Sequence, residues 1–461
     1  MLTRVAAVAP CFNRRDDLRS LLSDLAAQRL RRVQLSVLVI DNASDIPLES
    51  LLPPSSLRLG PAVRFVRLPV NLGGSGGFSE GLRLALDTDP PPHFLWLIDS
   101  DARPHRHALA RLLLALHRRP DLLAVGSAIR DPGSGRVFEC GGIVDRTWGY
   151  YAPAAPHGPA PVRLVEPCDY LAAASLLVRA LAARRAGPFP DTFLNCDDVT
   201  WGLRLSHASA SARGRGLAGV PRSIIEHHAG WAARPHGAGR YYQARNAFLP
   251  ITQLGLEPAV RFRRAVLETV RAAGAVFLAR DDLAELTLAG LRDAARGATL
   301  GRGNPPSLRA APPVPLDALA AQFGRPPARP LTIFLDPRLR HLPEPARTRF
   351  QNQLRALGSA LDLDPPPRND SAHPVGVAPW TPPRVAEFGA WLIRLFAGPL
   401  ADVAFVWPRD WPDGWTRGRR TVVITVDGAS IAVTPRWRTA LRALRAALRA
   451  LTHAIRITLR D

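Results

Sequence analysis

Two of the chain's carboxylate pairs and its one His-His pair follow runs that read as strand ends or tight turns. Asp99-Ser100-Asp101 ends the apolar run 94–98, Asp197-Asp198 follows a turn-rich stretch, and His227-His228 follows the run 223–226. Two aspartates one residue apart suit a hard divalent cation such as Mg or Mn, which prefers oxygen ligands. They suit equally a solvated loop after a core strand. Asp197-Asp198 opens a helical pattern, where one aspartate can cap by accepting backbone N–H bonds and the other can act as a general base. The two histidines are either ligands or ordinary surface residues. Asp41 ends the run 35–40, where a carboxylate can accept bonds from a nucleotide's base or ribose. Asp41-Asn42-Ala43-Ser44 is also good Asx-turn chemistry. The glycine run 73–77, after Asn71, lets backbone approach a ligand and offers helix N–H groups to phosphate. It is not a Walker A loop, because no Gly-Lys-Ser/Thr follows.

These groups need elements to carry them. Runs 5–9, 35–40, 63–66, 94–98 and 122–126 read as strands, and helices are expected over about 16–25, 79–87 and 105–118. Strands alternating with helices at this spacing mean a mostly parallel sheet with right-handed crossovers. The polar turns then fall on the sheet's C-terminal edge, where open α/β sheets bind ligands. A small hairpin is expected around Cys140-Gly141-Gly142, and an apolar segment over 168–178. Beyond Pro250 the texture changes. Residues 258–296 read as two amphipathic helices, 301–330 as a Pro/Gly-rich linker, and 331–461 as a small α+β region. Asp427-Gly428 marks a hairpin there. The last helix, 437–459, carries Leu441, Leu444, Leu448, Leu451 and Ile455 in one stripe and Arg438, Arg442, Arg445 and Arg449 in another. Such a helix lies on an anionic membrane or packs on its own domain with Arg in solvent.

The 461 residues are too many for one typical core, so two or three domains are expected. Hydrophobic residues make up 47%, enough for a packed interior. The net charge of +21 comes entirely from Arg, since no Lys occurs. No zinc-finger spacing or aromatic-interleaved basic repeat points to nucleic acid. The four cysteines, Cys11, Cys140, Cys168 and Cys196, form no C-x-x-C pair and read as buried thiols. With no signal-peptide pattern and no long uncharged apolar run, a cytoplasmic protein is expected, peripheral to the inner face of the membrane if the last helix binds there.

Taken in order, V-A-P-C-F-N-R at 8–14, D-N-A-S at 41–44, N-L-G-G-S-G-G-F at 71–78, D-S-D at 99–101, N-C-D-D-V-T-W-G-L-R at 195–204 and I-I-E-H-H at 224–228 resemble a family 2 glycosyltransferase of the GT-A fold. Y-Y-Q-A-R-N at 241–246 fits a late feature of the same family. The form at 71–78 is most similar to the galactofuranosyl- and rhamnosyltransferase branch. The resemblance implies a GT-A catalytic domain over 1–250; composition and pattern give a helical extension over 251–300, the linker over 301–330, and a C-terminal α+β region over 331–461. It implies Asp198 as catalytic base and Asp101 with Asp99 as metal ligands, joined by His227 or His228. It places Pro10, Phe12, Arg14, Asp41, Asn71, Gly73, Gly74 and Asp99 at the nucleotide-sugar, and Asp197, Trp201 and Asp169 toward the acceptor.

The implied activity is inverting, metal-dependent transfer from a nucleotide-diphosphate donor to a hydroxyl of a glycan or lipid-linked acceptor in cell-envelope polysaccharide synthesis. UDP-galactofuranose is one candidate donor and dTDP-rhamnose another. Trp201, Arg204, Tyr241, Tyr242 and Arg245 could stack on sugar or meet diphosphate, or could belong to the core. One rival is a nucleotidyltransferase, which would need a basic glycine-rich turn after the first strand, where Pro-Cys-Phe-Asn-Arg stands. The other is a non-catalytic sugar-nucleotide-binding or scaffold protein, which the intact carboxylates and histidines argue against.

Overall fold

The computed structural model describes residues 2–51, 61–132, 135–154, 163–207, 216–227, 238–277 and 281–307, and beyond these 333–335, 348, 400–406, 417–425, 428–432 and 436–458. The chain divides into two compact units: 1–229 with 245–264 and 296–304, and 230–244 with 265–295 and 305–461.

The first unit is built on a nine-stranded sheet. Its strands are β1 (Thr3–Cys11), β2 (Val33–Asp41), β3 (Ala62–Arg67), β4 (Phe94–Ile98), β5 (Arg103–Pro104), β6 (Ala124–Arg130), β7 (Val137–Glu139), β10 (Ser175–Arg179) and β11 (Leu217–Glu226). They lie in the order β3-β2-β1-β4-β10-β6-β11-β5, with β7 on β6. β1 pairs in parallel with β2 and β4, β2 with β3, and β6 with β11. β10 runs against both β4 and β6. The sheet is therefore mixed α/β and mostly parallel, with one reversed strand at its centre. Its order turns back on either side of β1, which makes that edge a topological switch point.

The apolar run of β4 alternates between two cores. Trp96 and Ile98 face the side covered by α1 (Arg15–Ala26) and α3 (Ala108–Arg118). Leu95 and Leu97 face the side covered by α2 (Gly73–Leu86), α4 (Ala180–Ala186) and α5 (Asp197–His207). A strand covered on both faces needs apolar residues throughout, as a central strand of such a sheet does.

Two local expectations change. Helix α2 starts at Gly73, not near Ser79, so the glycine run lies inside the helix. A Cβ at Gly77 would come 2.7 Å from the Pro10 Cβ, and one at Gly81 would come 2.2 Å from Val8 Cγ1. Glycine here serves close helix-on-sheet packing. The expected hairpin around Gly141 is instead two separate pairings: β7 folds back on β6, and β8 (Gly142–Asp145) pairs with β9 (Tyr150–Pro153). After β11 come α6 (Gly239–Asn246), α7 (Leu249–Gln253), α8 (Pro258–Phe277) and α9 (Asp281–Arg296).

The second unit contains a four-stranded sheet of β12 (Ile333–Leu335), β13 (Leu400–Val406), β14 (Arg417–Thr425) and β15 (Gly428–Ala432). β14 and β15 are antiparallel, with Thr425 opposite Gly428, as the hairpin signal suggests. The chain's described part ends in α10 (Arg436–Thr458). Among the described residues no helix is long and apolar enough to cross a membrane. His228 and the stretch 308–330 lie outside the described residues.

Candidate active site

Asp99 and Asp101 stand just past the C-terminal end of β4. The chain turns there, with Ala102 N donating to Asp99 O, and then forms β5. This two-residue strand pairs antiparallel with the end of β11, Arg103 opposite Glu226 and Pro104 opposite Ile225. Proline is tolerated because β5 is an edge strand. The pairing delivers the next residue, His227, to the aspartates. Its Nε2 lies 3.1 Å from Asp101 Oδ1 and 3.6 Å from Asp99 Oδ2. One ligand atom from each of the three falls within 4.8 Å of the others. Arg14, just past β1, donates from Nη1 to Asp101 Oδ2.

The electrostatics separate the two aspartates. Burial opposes ionisation of Asp101, but the His227 hydrogen bond and the charges of His227 and Arg14 outweigh it and hold the group well below the usual carboxylate range. Burial pushes Asp99 up to about 6, eased by His227 and aggravated by Asp101 and Asp198. His227 is raised: burial works against its charge, but the Asp101 hydrogen bond and both carboxylates prevail. Two carboxylates and an imidazole at this spacing fit a divalent cation.

The second aspartate pair begins α5. Burial raises Asp198 to about 6, partly offset by backbone N–H donors that include Val199 N at 2.8 Å from its Oδ1. Asp197 is pushed to about 8 by burial, with Asp198 and then Asp99 adding repulsion. The loop before them is strained: Phe193, Asn195 and Cys196 have φ of 65°, 68° and 60°. Phe and Cys pay roughly 1 kcal/mol or more each in that region, and Asn less. Asn246 holds the loop in place. Its Nδ2 donates to the carbonyls of Leu194 at 2.8 Å, Asn195 at 3.1 Å and Thr192 at 3.3 Å. Arg245 adds bonds to Thr192 O at 2.7 Å and Gly301 O at 3.0 Å.

Glu139, at the end of β7, completes the cluster. Burial raises it to about 8, with the charges of Asp198 and His227 also acting on it. The sequence alone does not single it out. A lone glutamate beside Cys140-Gly141-Gly142 carries no spacing signal, although an acidic residue in an otherwise apolar run is a hint.

Asp41, Trp201 and Asp169, expected at the site, are tied into the fold. Asp41 is buried, with Oδ1 accepting from Ser44 N and Oδ2 from Leu48 N and Arg67 Nη1. It closes its own turn, the Asx reading. Asn71 Oδ1 accepts from Gly73 N, and buried Asn42 clamps the same turn through Leu72 N and Gly73 O. Gly73 has φ +72° and sits against Phe193 O, while a Cβ on Gly74 would come 4.0 Å from Asp197 Oδ2. The glycine turn therefore meets the aspartate loop.

Phe12 is 41% exposed beside half-buried Pro10 and Arg14. Trp201 is fully buried, stacked on Phe189 at 4.5 Å with its Nε1 bonded to Gly187 O, so it has no free face for a sugar. Asp169 is fully buried and ion-paired with Arg146, which anchors β8. Arg204 bonds Pro188 O. Arg245 belongs to the loop clamp, and Tyr241 and Tyr242 are core residues, Tyr241 O–H donating to Asp293.

Residues 6–141 match the family model described as Glycosyl transferase family 2. The matched stretch runs from β1 past β7 and contains Asp99, Asp101 and Glu139; Asp197, Asp198 and His227 lie beyond it. No curated protein matches the sequence. Among solved structures, TarS 1–349 of S. aureus is similar at 14% identity, covering 64% of this chain and 80% of that one, with a TM-score of 0.41. GalNAc-T7 with UDP, GalNAc and Mn2+ is similar at 13% identity, covering 62% and 53%, with a TM-score of 0.43. The mannosyltransferase PcManGT from Pyrobaculum calidifontis, with GDP-Man and Mn2+, is similar at 17% identity, covering 79% and 88%, with a TM-score of 0.39.

Proposed function

We propose that the chain is a metal-dependent, inverting glycosyltransferase that moves a sugar from a nucleotide-diphosphate donor to an acceptor hydroxyl. The observation that carries this reading is the convergence of Asp99, Asp101 and His227 on one point at the sheet's C-terminal edge. Asp198 lies close enough for its charge to act on Asp99.

In this reading Asp101, Asp99 and His227 hold a divalent cation, Mn or Mg. Bound there, the cation would neutralise the departing diphosphate. Arg14 adds a fixed positive charge beside it. Asp198 accepts the proton of the acceptor hydroxyl as that oxygen bonds to the anomeric carbon and the bond to the diphosphate breaks. Burial raises both carboxyls of this pair, so the pair can hold one proton and take another, and the Val199 N–H on Asp198 favours its ionised form as the base. Asp197 is instead available as a hydrogen-bond donor.

The donor is read as a UDP-sugar, UDP-galactofuranose first and dTDP-rhamnose second, on the form of residues 71–78. The acceptor is read as a glycan or lipid-linked sugar of the cell envelope. The test is a panel of UDP-, GDP- and dTDP-sugars incubated with Mn, with nucleotide release as readout. Release from one donor, abolished by chelator and restored by Mn or Mg, supports the reading. No release and no calorimetric binding of any donor would sink it.

A further inference from the structure

Helix α10 is inside out for a packed amphipathic helix. Its buried side is an alanine seam: Ala443, Ala446, Ala450 and Ala454 are at most 6% exposed. Ala443 and Ala446 pack with Ala275, Val276 and Ala284 of α8 and α9 in the second unit. The large apolar residues point the other way. Leu444 and Leu448 are each 56% exposed and Ile455 is 47% exposed, with Leu441 and Leu451 also outward. At 3.6 residues per turn this stripe lies roughly 140° around the helix from the alanines, and it runs for about 21 Å. Arg445, Arg449 and Arg456 are exposed along one flank. The whole helix carries six Arg and no Asp or Glu.

We propose that this outward face seats the protein on an anionic lipid surface. Leu444, Leu448 and Ile455 enter the boundary between headgroups and acyl chains, and Arg445 and Arg449 meet the lipid phosphates. Exposed leucines in a row are costly in water and favourable at that boundary, and a flank of Arg without acids selects negative headgroups. A second copy of the chain is a poorer occupant, because it brings the same acid-free, Arg-flanked helix. The helix is not apolar enough to span, so it lies in the plane of the surface. This inference goes beyond the transfer reaction and stands or falls apart from it.

The test is sedimentation of the full chain with phosphatidylcholine vesicles, with and without phosphatidylglycerol. The protein should pellet with the anionic vesicles and lose that binding as salt is raised. L444Q/L448Q should weaken binding by about tenfold or more, and R445Q/R449Q should remove the preference for anionic lipid. Nucleotide release, read in parallel, should be unchanged in both variants with a water-soluble acceptor. The proposal is overturned if the wild-type protein stays in the supernatant, or if L444Q/L448Q binds as tightly as wild type. It is also overturned if that variant melts several degrees earlier, since the stripe would then be packed against the chain. Loss of a wild-type dimer in L444Q/L448Q, without vesicle binding, would assign the face to a second copy instead.

Discussion

The two aspartate pairs use the same residue type for opposite ends. Asp99 and Asp101 share their space with His227 and Arg14, so one of them is held firmly ionised. Asp197 and Asp198 meet backbone N–H groups and neighbouring carboxylates, and burial drives both upward. A carboxylate flanked by cationic partners is set to keep a charge, and one without them is set to exchange a proton. The difference lies in which strand ends each pair faces, since the two are chemically identical in the sequence.

The comparison breaks most sharply at Asp198. Asp198→Asn should lower transfer by about 10²–10⁴-fold while calorimetry shows donor binding nearly intact. The wild-type rate should fall as pH drops through about 6, because the base is lost on protonation. Full turnover by D198N, or a rate indifferent to pH across that range, would move the proton to another group.

Next comes the cation pair. His227→Ala should raise the Mn concentration for half-maximal activity by at least the roughly 10–100-fold that losing an outer-shell partner costs a metal site. Titration of activity against Mn measures it, and an unchanged midpoint would leave His227 without a ligand role. A smaller effect is expected at the clamp. Asn246→Ala leaves buried carbonyls of the aspartate loop without their donor, a cost of about 1–3 kcal/mol. Chemical denaturation should show that loss, and the catalytic rate should drop more than the donor KM rises.

The mildest change sharpens the contrast by its sign. Asp197 at about 8 lies above the ordinary carboxylate value, so folding takes up a proton and stability falls as pH rises from about 4 to about 8. Asp197→Asn removes that penalty. It should raise the Tm by about 2–4 °C at neutral pH and keep most activity. A lower Tm would show that the carboxyl is paired, not merely buried.

Much of this is legible in the sequence. The run 94–98 ending in carboxylates, the strand–helix alternation and the helix start at Asp197 all follow from period and from capping chemistry. The reversed direction of β10 was not legible, because a strand buried on both faces has the same apolar pattern whichever way it runs. Nor was β5, since two residues, one of them proline, carry no strand signal. The glycine run reads as a phosphate cradle, but Gly77 within it, like Gly81 beyond it, is clearance for α2 against Pro10 and Val8. From sequence Arg245 reads as either a diphosphate contact or a core residue, and Asn246 carries no signal of its own. Their targets are carbonyls of a loop more than 40 residues away in the chain, a pairing no local pattern encodes.

The short strand β5 also acts as a ruler. Only Ala102 separates Asp101 from its first paired residue, and His227 follows directly on Glu226. The distance between histidine and aspartate is therefore measured out by two rungs of backbone pairing. Side chains alternate along a strand, so a slip of one residue would turn the imidazole to the opposite face of the sheet. A single-residue insertion beside Ala102 or Glu226 would thus misplace the ligand while leaving every side chain of the cluster present in the chain.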